Sequence, residues 1–254
     1  MKRRACLTSL LCAWPALGLL PPARAGLPDT IVRYKASVLA VGTYRATDSP
    51  RFQLRGSGFL VEDGSLLITN AHVLPEGGNA VDLSALVAQV RTGTDAWEPR
   101  ALTLVGIDAT HDLALLRMSG PPGLPMPMGD SNRVREGDNL AFMGFPIGGL
   151  LGYSTVTHRA TVSSVAGTLP SANGVERPRA RAARAAAFDV FQLDATAYPG
   201  NSGGPLFDPD SGHVLGVMNM VLIKGPRESA LSHPSGISYA IPGRFVQELL
   251  ARHR

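Results

Sequence analysis

Short β-type runs separated by turn residues restrict the fold of this chain more than any other feature. Apolar or alternating runs such as "SVLAVGTY", "ALVAQVRTG" and "HVLGVMNMVLI" recur along the chain, and clusters rich in Gly, Pro and Asp separate them. The clearest hairpin is "GSGFLVEDGSLLITN", where "EDGS" lies between two apolar runs. Only "PDTIVRYKAS" and "PGRFVQELLARHR" look helical; in the latter, Phe245, Leu249 and Leu250 fall on one face. The pattern predicts an all-β barrel or sandwich with short terminal helices.

The first 25 residues have the pattern of a secretory signal peptide. They combine a basic start, an apolar stretch from Ala5 to Leu20 and an Ala-Arg-Ala site ending at Ala25. Pro15 interrupts the apolar stretch, which is shorter than the roughly 20 residues that a spanning helix needs. We therefore expect cleavage near Ala25 and an exported protein, periplasmic or extracellular, without a stable membrane anchor.

Loss of this segment changes what the composition implies for residues 26–254. Both cysteines, Cys6 and Cys12, lie inside it, so the mature chain has no disulfide, thiolate zinc site or cysteine nucleophile. The segment also carries the whole net charge of +4, so the balanced mature chain gives no argument for nucleic acid or an anionic membrane as a partner, and no nucleic acid partner is expected. No phosphate-binding loop, HExxH pair or metal-ligand cluster is visible, so we expect no cofactor and no metal.

A proline-rich stretch divides the mature chain. "PPGLPMPMGD" cannot form a central strand, so it is predicted to connect an N-terminal half, about 30–120, to a C-terminal half, about 125–245. A C-terminal helix is expected at about 243–252. The Arg/Ala-rich segment 177–187 reads either as a basic interaction helix or as a solvated surface loop; the loop is favoured, and its role stays open.

Ser202 in "YPGNSGGPL" is the candidate nucleophile, although a chain with 28 Gly also forms such turns for structural reasons alone. A serine nucleophile needs a base, and His72 ends the apolar strand of "GSLLITNAHVL", where barrel loops gather. The other five histidines lie beside turns, loops or the terminus and are interpreted as solvated surface residues: His111, His158, His213, His233 and His253.

The base in turn needs an acid that orients it. Asp112 opens the half-buried run "DLALLRM", which makes it the first candidate, although a turn-forming Asp after Thr110 and His111 is an equal alternative. Asp108, in the preceding turn, and Asp194, close to the serine in sequence, are competitors.

Taken together, these blocks resemble the chymotrypsin-like serine endopeptidases, and among them the HtrA (Deg) branch. "GSGFLV" with "LLITNAHV", "HDLALLRM" and "QLDATAYPGNSGGPLFD" match that family's histidine, aspartate and serine blocks in the same chain order. The resemblance covers residues 37–245 or so. It implies two six-stranded antiparallel β-barrels with the active site between them, and a trypsin-like protease domain over residues 26–254.

The resemblance also implies roles for individual residues. His72 would be the general base, Asp112 its orienting partner and Ser202 the nucleophile, with the backbone N–H groups of Gly200 and Ser202 as the oxyanion hole. Asn201 replaces the Asp of digestive relatives, so activation by a new N-terminal amine is not expected.

Substrate contacts follow from the same resemblance. The segment Thr196, Ala197 and Tyr198 would wall the S1 pocket, and its lack of charge predicts a small or medium uncharged P1 residue. Asn219, Met220 and Val221 would pair with the substrate backbone as an added strand. The partners are therefore polypeptide substrates.

Two other functions and one structural question stay open. The chain ends where the PDZ domain of HtrA proteins would begin, and few residues precede the first strand, so the oligomer is either a monomer or a trimer. A protease-like binding module without activity, and an esterase that uses the same three residues, are the alternative functions.

Overall fold

The structure is a computed structural model that describes residues 26–75, 85–93, 96–146, 153–167, 188–219 and 236–254. The predicted signal segment, the Arg/Ala-rich loop, Met220 and Val221 lie outside these ranges. Within them the chain forms twelve strands and two α-helices, α1 (Leu27–Tyr34) and α2 (Gly243–Ala251). None of the helices in this described part is long and apolar enough to cross a membrane.

The first six strands close into one antiparallel barrel with the strand order β1-β2-β3-β6-β5-β4. The predicted "EDGS" turn joins β2 to β3, with Val61 paired to Leu66 and positive φ angles at Glu62 and Gly64. The strands are β1 (Val38–Tyr44), β2 (Phe52–Val61), β3 (Leu66–Asn70), β4 (Leu86–Arg91), β5 (Trp97–Asp108) and β6 (Leu113–Met118).

The last six strands form a second closed antiparallel barrel with the order β7-β8-β9-β12-β11-β10. This order repeats that of the first barrel, and the two barrels confirm the fold class that the motifs predicted. Between them, the proline-rich connection has one single-residue bridge, Met128 to Val214. The strands are β7 (Asn139–Gly144), β8 (Val156–Gly167), β9 (Asp189–Asp194), β10 (Pro205–Phe207), β11 (Val214–Asn219) and β12 (Ile237–Pro242).

Buried apolar side chains form three clusters that together fix the positions of the barrels. One cluster fills the first barrel and a second fills the other, as strands with alternating inward residues require. The third joins both barrels and both helices and includes Tyr34, Phe59, Met143 and Phe245. The barrels therefore share a continuous apolar contact.

Each terminal helix reaches the barrel to which it is not directly joined. Tyr34 and Thr30 of α1 pack on Gly212 in the β10–β11 turn of the second barrel. Just beyond α2, Arg252 forms an ion pair with Asp108 of the first barrel. The buried face of α2 is the predicted one, with Phe245, Leu249 and Leu250 inside.

Candidate active site

His72 lies in a 3₁₀ turn, Ala71–Val73, at the end of β3. The Arg55 side chain on β2 fixes the end of this turn, because its Nε donates to the Val73 carbonyl at 2.6 Å and its Nη2 to the Leu74 carbonyl at 2.8 Å. The imidazole is partly exposed, with 22% of the side chain accessible. The backbone turn that carries His72 is thus held in place, while the imidazole stays accessible at the interface of the barrels.

Asp112 holds this histidine through both carboxylate oxygens. Its Oδ1 accepts the His72 backbone N–H at 2.9 Å, and its Oδ2 lies 2.6 Å from the His72 Nδ1. The Asp112 carbonyl also accepts the N–H of Ala71 and the side-chain amide of Asn70, both at 3.0 Å. Because a carboxylate only accepts, the Nδ1–H of His72 is the donor to Asp112 Oδ2.

A residue from the second barrel completes this group. The side-chain amide of Asn219, at the end of β11, donates to Asp112 Oδ2 at 2.7 Å. Sequence reasoning assigned Asn219 to substrate pairing only and missed this contact. No local pattern signals it, because it depends on how the end of β11 meets the start of β6 across the barrel interface.

Ser202 sits in a tight turn that we call the serine turn, residues 198–204. Gly200 and Gly203 have φ angles of 103° and 85°, a region that favours glycine. A Cβ on Gly200 would collide with the Phe145 carbonyl oxygen, and one on Gly203 with the Ser57 carbonyl oxygen. The turn docks on the first barrel, where the Ser57 N–H donates to the Ser202 carbonyl at 2.7 Å.

Three backbone amides of the serine turn are used within the fold. The N–H of Asn201 donates to the Tyr198 carbonyl, that of Gly203 to Met218 and that of Gly204 to Asn201, at 2.9–3.0 Å. The Gly200 N–H donates to no group in the part of the chain that the structure describes. One amide of the serine turn is thus available to another acceptor.

Comparison with known proteins agrees with this geometry. A family model described as the trypsin-like peptidase domain matches residues 56–217. The chain belongs to the trypsin-like peptidase family. The resemblance to HtrA proteases that the motifs indicated is also confirmed.

Curated relatives of this trypsin-like peptidase domain are longer proteins. It is 32% identical over 203 residues to a probable periplasmic serine endoprotease, DegP-like, of Brucella suis, covering 77% of this chain and 32% of that protein. It is 28% identical over 232 residues to the serine protease PepD of Mycobacterium tuberculosis, covering 88% of this chain and 47% of PepD. The chain therefore spans a third to a half of these relatives.

Solved structures share the fold of the domain. An HtrA-type protease, AlgW, with tripeptide superposes with a TM-score of 0.61 at 24% identity, covering 89% of this chain and 62% of that one. Rv3671c from M. tuberculosis H37Rv, in an inactive form, superposes with a TM-score of 0.59 at 21% identity, covering 88% and 89%. These likenesses support the two-barrel architecture.

The predicted pocket segment of this peptidase domain lies against an apolar interior. Ala197 is 5% exposed and belongs to the cluster inside the second barrel that also contains Phe142 and Met218. Thr196 and Tyr198, on either side, are half-buried. The described part of the segment thus brings no charged side chain to this position.

Two histidines contradict the surface interpretation. His111 is mostly buried; it stacks on Phe245 with ring centroids 3.8 Å apart, and its Nδ1 lies 2.9 Å from Asp108 Oδ2. His158 stacks on Phe142 at 4.7 Å, and burial lowers its pKa below the usual 6.5. Both predictions were wrong because another element covers each histidine in the folded chain: α2 covers His111 through Phe245, and β7 covers His158 through Phe142.

The competing carboxylates lie away from His72. Asp108 is engaged by His111 and by Arg252, whose Nη2 donates at 2.7 Å. Burial alone would raise the pKa of the Asp108 carboxyl, but the hydrogen bonds from His111 and Arg252 outweigh it and hold this pKa at about 2. Asp194 is exposed at the end of β9. Of the three acids, Asp112 is the one that contacts the histidine.

Metal-ligating side chains near these pairs can be compared with the ligand sets of known metal sites. Among the described residues, no three His, Cys, Asp or Glu side chains lie close enough to hold a metal ion together. The His72–Asp112 and His111–Asp108 pairs each offer one imidazole and one carboxylate, whereas catalytic zinc usually has three protein ligands.

Proposed function

We propose that this chain is an exported serine endopeptidase that hydrolyses peptide bonds in unfolded or exposed protein segments through an acyl-enzyme. The observation that carries the proposal is the two-point grip of Asp112 on His72, with the serine turn docked on the same barrel. A serine nucleophile needs a base that accepts its proton. A carboxylate that fixes one tautomer of the imidazole prepares the histidine for that role.

In the proposed reaction, Ser202 Oγ attacks the carbonyl carbon of the scissile bond while its proton passes to His72 Nε2. The imidazolium that forms is stabilised by Asp112, whose Oδ2 already accepts hydrogen bonds from His72 and Asn219. His72 then gives the proton to the leaving amine, and the acyl group stays on Ser202. Water, deprotonated by the same imidazole, releases the acid product and restores the serine.

The negative charge on the tetrahedral oxygen would be stabilised by the N–H groups of Gly200 and Ser202. Support comes from the Gly200 amide, which donates to no group among the described residues, while the N–H groups of Asn201, Gly203 and Gly204 are bonded within the fold. Loss of one such donor typically lowers the rate by about 100- to 1,000-fold. The shape of the turn would therefore matter nearly as much as the three side chains.

The proposed substrate is a polypeptide with a small or medium uncharged residue, such as Ala, Val or Leu, at P1. The buried, apolar setting of Ala197 beside Met218 supports this preference, with Thr196 and Tyr198 as the adjacent walls. The substrate backbone would pair along Asn219, Met220 and Val221 as an added strand. Selection would be modest, because one methylene in such a pocket changes specificity by about 1–3 kcal/mol.

Export and domain layout belong to the same proposal. The DegP-like relative of Brucella suis is described as periplasmic, which supports removal of residues 1–25 and action outside the cytoplasm. The mature domain would span residues 26–254, with no nucleic acid partner and no stable membrane anchor. Whether it acts as a monomer or a trimer is decided by light scattering on the purified chain.

The test uses the mature chain and its Ser202→Ala variant with a fluorogenic peptide library that varies P1, and with an unfolded protein. We expect wild-type turnover, covalent labelling by a fluorophosphonate and loss of both in the variant, with Ala, Val or Leu favoured at P1. If wild type and variant are equally inert, the chain is a binding module; if esters but not amides are cleaved, it is an esterase.

A further inference from the structure

Ser57, on β2 of the first barrel, makes an unusual set of contacts with the second barrel. It is fully buried, and its hydroxyl donates to the Gly200 carbonyl at 2.6 Å. The same Oγ accepts the Phe145 N–H at 3.0 Å. Its backbone N–H donates to the Ser202 carbonyl at 2.7 Å. One residue thus holds two carbonyl groups of the serine turn.

The direction of the hydroxyl hydrogen bond is fixed by its neighbours. A backbone N–H can only donate, so the Phe145 amide must use a lone pair of Ser57 Oγ. A carbonyl can only accept, so the single hydroxyl proton goes to Gly200. The interaction cannot reverse, and the Gly200 carbonyl is held on the side of the first barrel.

This fixes the orientation of the peptide group that follows Gly200. A planar trans peptide places its C=O and N–H on opposite sides. The Gly200 carbonyl therefore points to Ser57 while the Asn201 N–H points back to the Tyr198 carbonyl at 3.0 Å. With the Ser202 carbonyl also held, the conformation on both sides of the nucleophile is defined from outside the turn.

We propose that Ser57 is a positioning residue for catalysis: from the other barrel, it holds the carbonyls of Gly200 and Ser202. These two contacts fix the peptide groups that follow Gly200 and Ser202, and so restrict the backbone angles on which the directions of the Gly200 and Ser202 N–H groups depend. Glycine at position 200 can adopt other conformations, so without the hydroxyl the turn has alternatives that turn the Gly200 N–H away. The inference rests on the proposed peptidase function and adds a fully buried residue of the other barrel.

Buried serines elsewhere in the chain provide a matched control. Ser37 is also fully buried, but its Oγ has no hydrogen-bond partner in the part of the chain that the structure describes. Ser37→Ala therefore removes a buried hydroxyl without affecting the serine turn. Ser57→Ala removes the hydroxyl that holds Gly200, and Ser57→Cys replaces it by a weaker donor of similar size.

The kinetic arm compares these variants on one peptide amide and one peptidyl boronate, which forms a tetrahedral oxyanion on the serine. We expect Ser57→Ala to lower kcat by about 10- to 100-fold, less than loss of a direct donor, with KM within about threefold. Boronate affinity should fall in parallel while affinity for the product peptide stays unchanged. Ser57→Cys should be intermediate and Ser37→Ala equal to wild type; thermal unfolding identifies any variant that does not fold.

A second arm does not depend on activity. Hydrogen exchange should speed up in peptides that cover residues 198–204 in Ser57→Ala and stay unchanged in Ser37→Ala. If the wild type is active, and folded Ser57→Ala and Ser57→Cys have the same kcat and the same hydrogen exchange as the wild type, the positioning role is overturned. If the wild type is inert but hydrogen exchange is faster in Ser57→Ala, the peptidase proposal is rejected. The faster exchange would still show that Ser57 holds the serine turn.

Discussion

Asp112 and Gly200 show how single residues set the geometry of the site. Asp112 has a φ of 53°, which few residues with side chains adopt, and Asp is among those that tolerate it. That conformation lets its carbonyl and its carboxylate face the His72 turn together. Backbone conformations of this kind persist where the surrounding contacts over-determine them, and they cluster at functional sites.

The first prediction concerns Gly200→Ala. The new Cβ would meet the Phe145 carbonyl, so the serine turn must move and activity on a peptide amide should fall at least about 100-fold. Gly137→Ala is the control, because Gly137 also has a positive φ, 91°, but open space around its Cβ position. That variant should lose about 1–2 kcal/mol of unfolding free energy and keep full kcat. Equal kinetics for the two variants would contradict the prediction.

The second prediction concerns Asn219→Ala. It removes one of the donors to Asp112 Oδ2, and hydrogen bonds to a charged group contribute about 1.5–3 kcal/mol. We expect kcat/KM to fall about tenfold, measured with the same peptide amide. Asn219→Asp should lose more, because it places a second carboxylate against Asp112. Full activity in Asn219→Asp would show that the amide does not act on this carboxylate.

At the scale of elements, α2 is fastened to the first barrel by a buried polar group rather than by its apolar face alone. Asp108, 6% exposed, accepts from both His111 and Arg252, and the His111 ring stacks on Phe245 of the helix. A buried carboxylate with two donors is stabilising only while it is ionised. The docking of α2 should therefore depend on pH.

The third prediction gives the sign of this dependence. The Asp108 pKa falls from 3.8 to about 2 on folding, which stabilises the fold by about 2 kcal/mol at neutral pH. This contribution is present above the unfolded pKa and is lost as pH falls from about 5 towards 2. In urea unfolding, Asp108→Asn should be less stable than wild type at pH 7, with the difference vanishing near pH 2.

The control for this prediction is an exposed ion pair of α2. Asp189 lies 3.9 Å from Arg244 and its side chain is 59% exposed, so the pair should contribute little. Asp189→Asn should change the unfolding free energy by less than about 0.5 kcal/mol at every pH. A pH-independent difference for Asp108→Asn would mean that packing, and not ionisation, holds the helix.

At the scale of the whole molecule, the two barrels are tied together by helices that cross between them. Tyr34 and Thr30 of α1 lie on the β10–β11 turn, and Arg252 and Arg254 after α2 contact Asp108 and Glu62 of the first barrel. The shared apolar cluster includes residues of both helices, among them Tyr34 and Phe245. Because the site draws residues from both barrels, its geometry depends on this arrangement.

The fourth prediction tests the crossing of α1. Tyr34 is 4% exposed, and removal of a buried aromatic side chain typically costs about 3–5 kcal/mol. Tyr34→Ala should lower the unfolding free energy by about 3 kcal/mol while calorimetry still shows one transition. Val32→Ala, on the same helix but 84% exposed, should be within about 0.5 kcal/mol of wild type. Two separate transitions in wild type would show that the barrels unfold independently.

Much of the architecture can be predicted from the sequence, because strands, turns and helix faces depend on local patterns. The alternation of apolar and polar residues predicts strands, "EDGS" predicts the β2–β3 hairpin and the periodicity of the last residues predicts the buried face of α2. His72 is a candidate because it ends an apolar run, and Asp112 because it opens one. The interpretation of His111 and His158 failed because burial of a turn residue depends on which element later covers it.

The sequence alone therefore determined the strands, their turns, the family and the three residues proposed for catalysis, since each is encoded in a short contiguous pattern. Only the tertiary structure decided what surrounds them: the Asn219 amide on Asp112, the Ser57 hydroxyl on Gly200 and the Asp108 group under α2. Asn219 and Ser57 are respectively 107 and 143 residues away from their partners in the chain. Their contacts arise from the packing of one closed barrel against another, which no local pattern records.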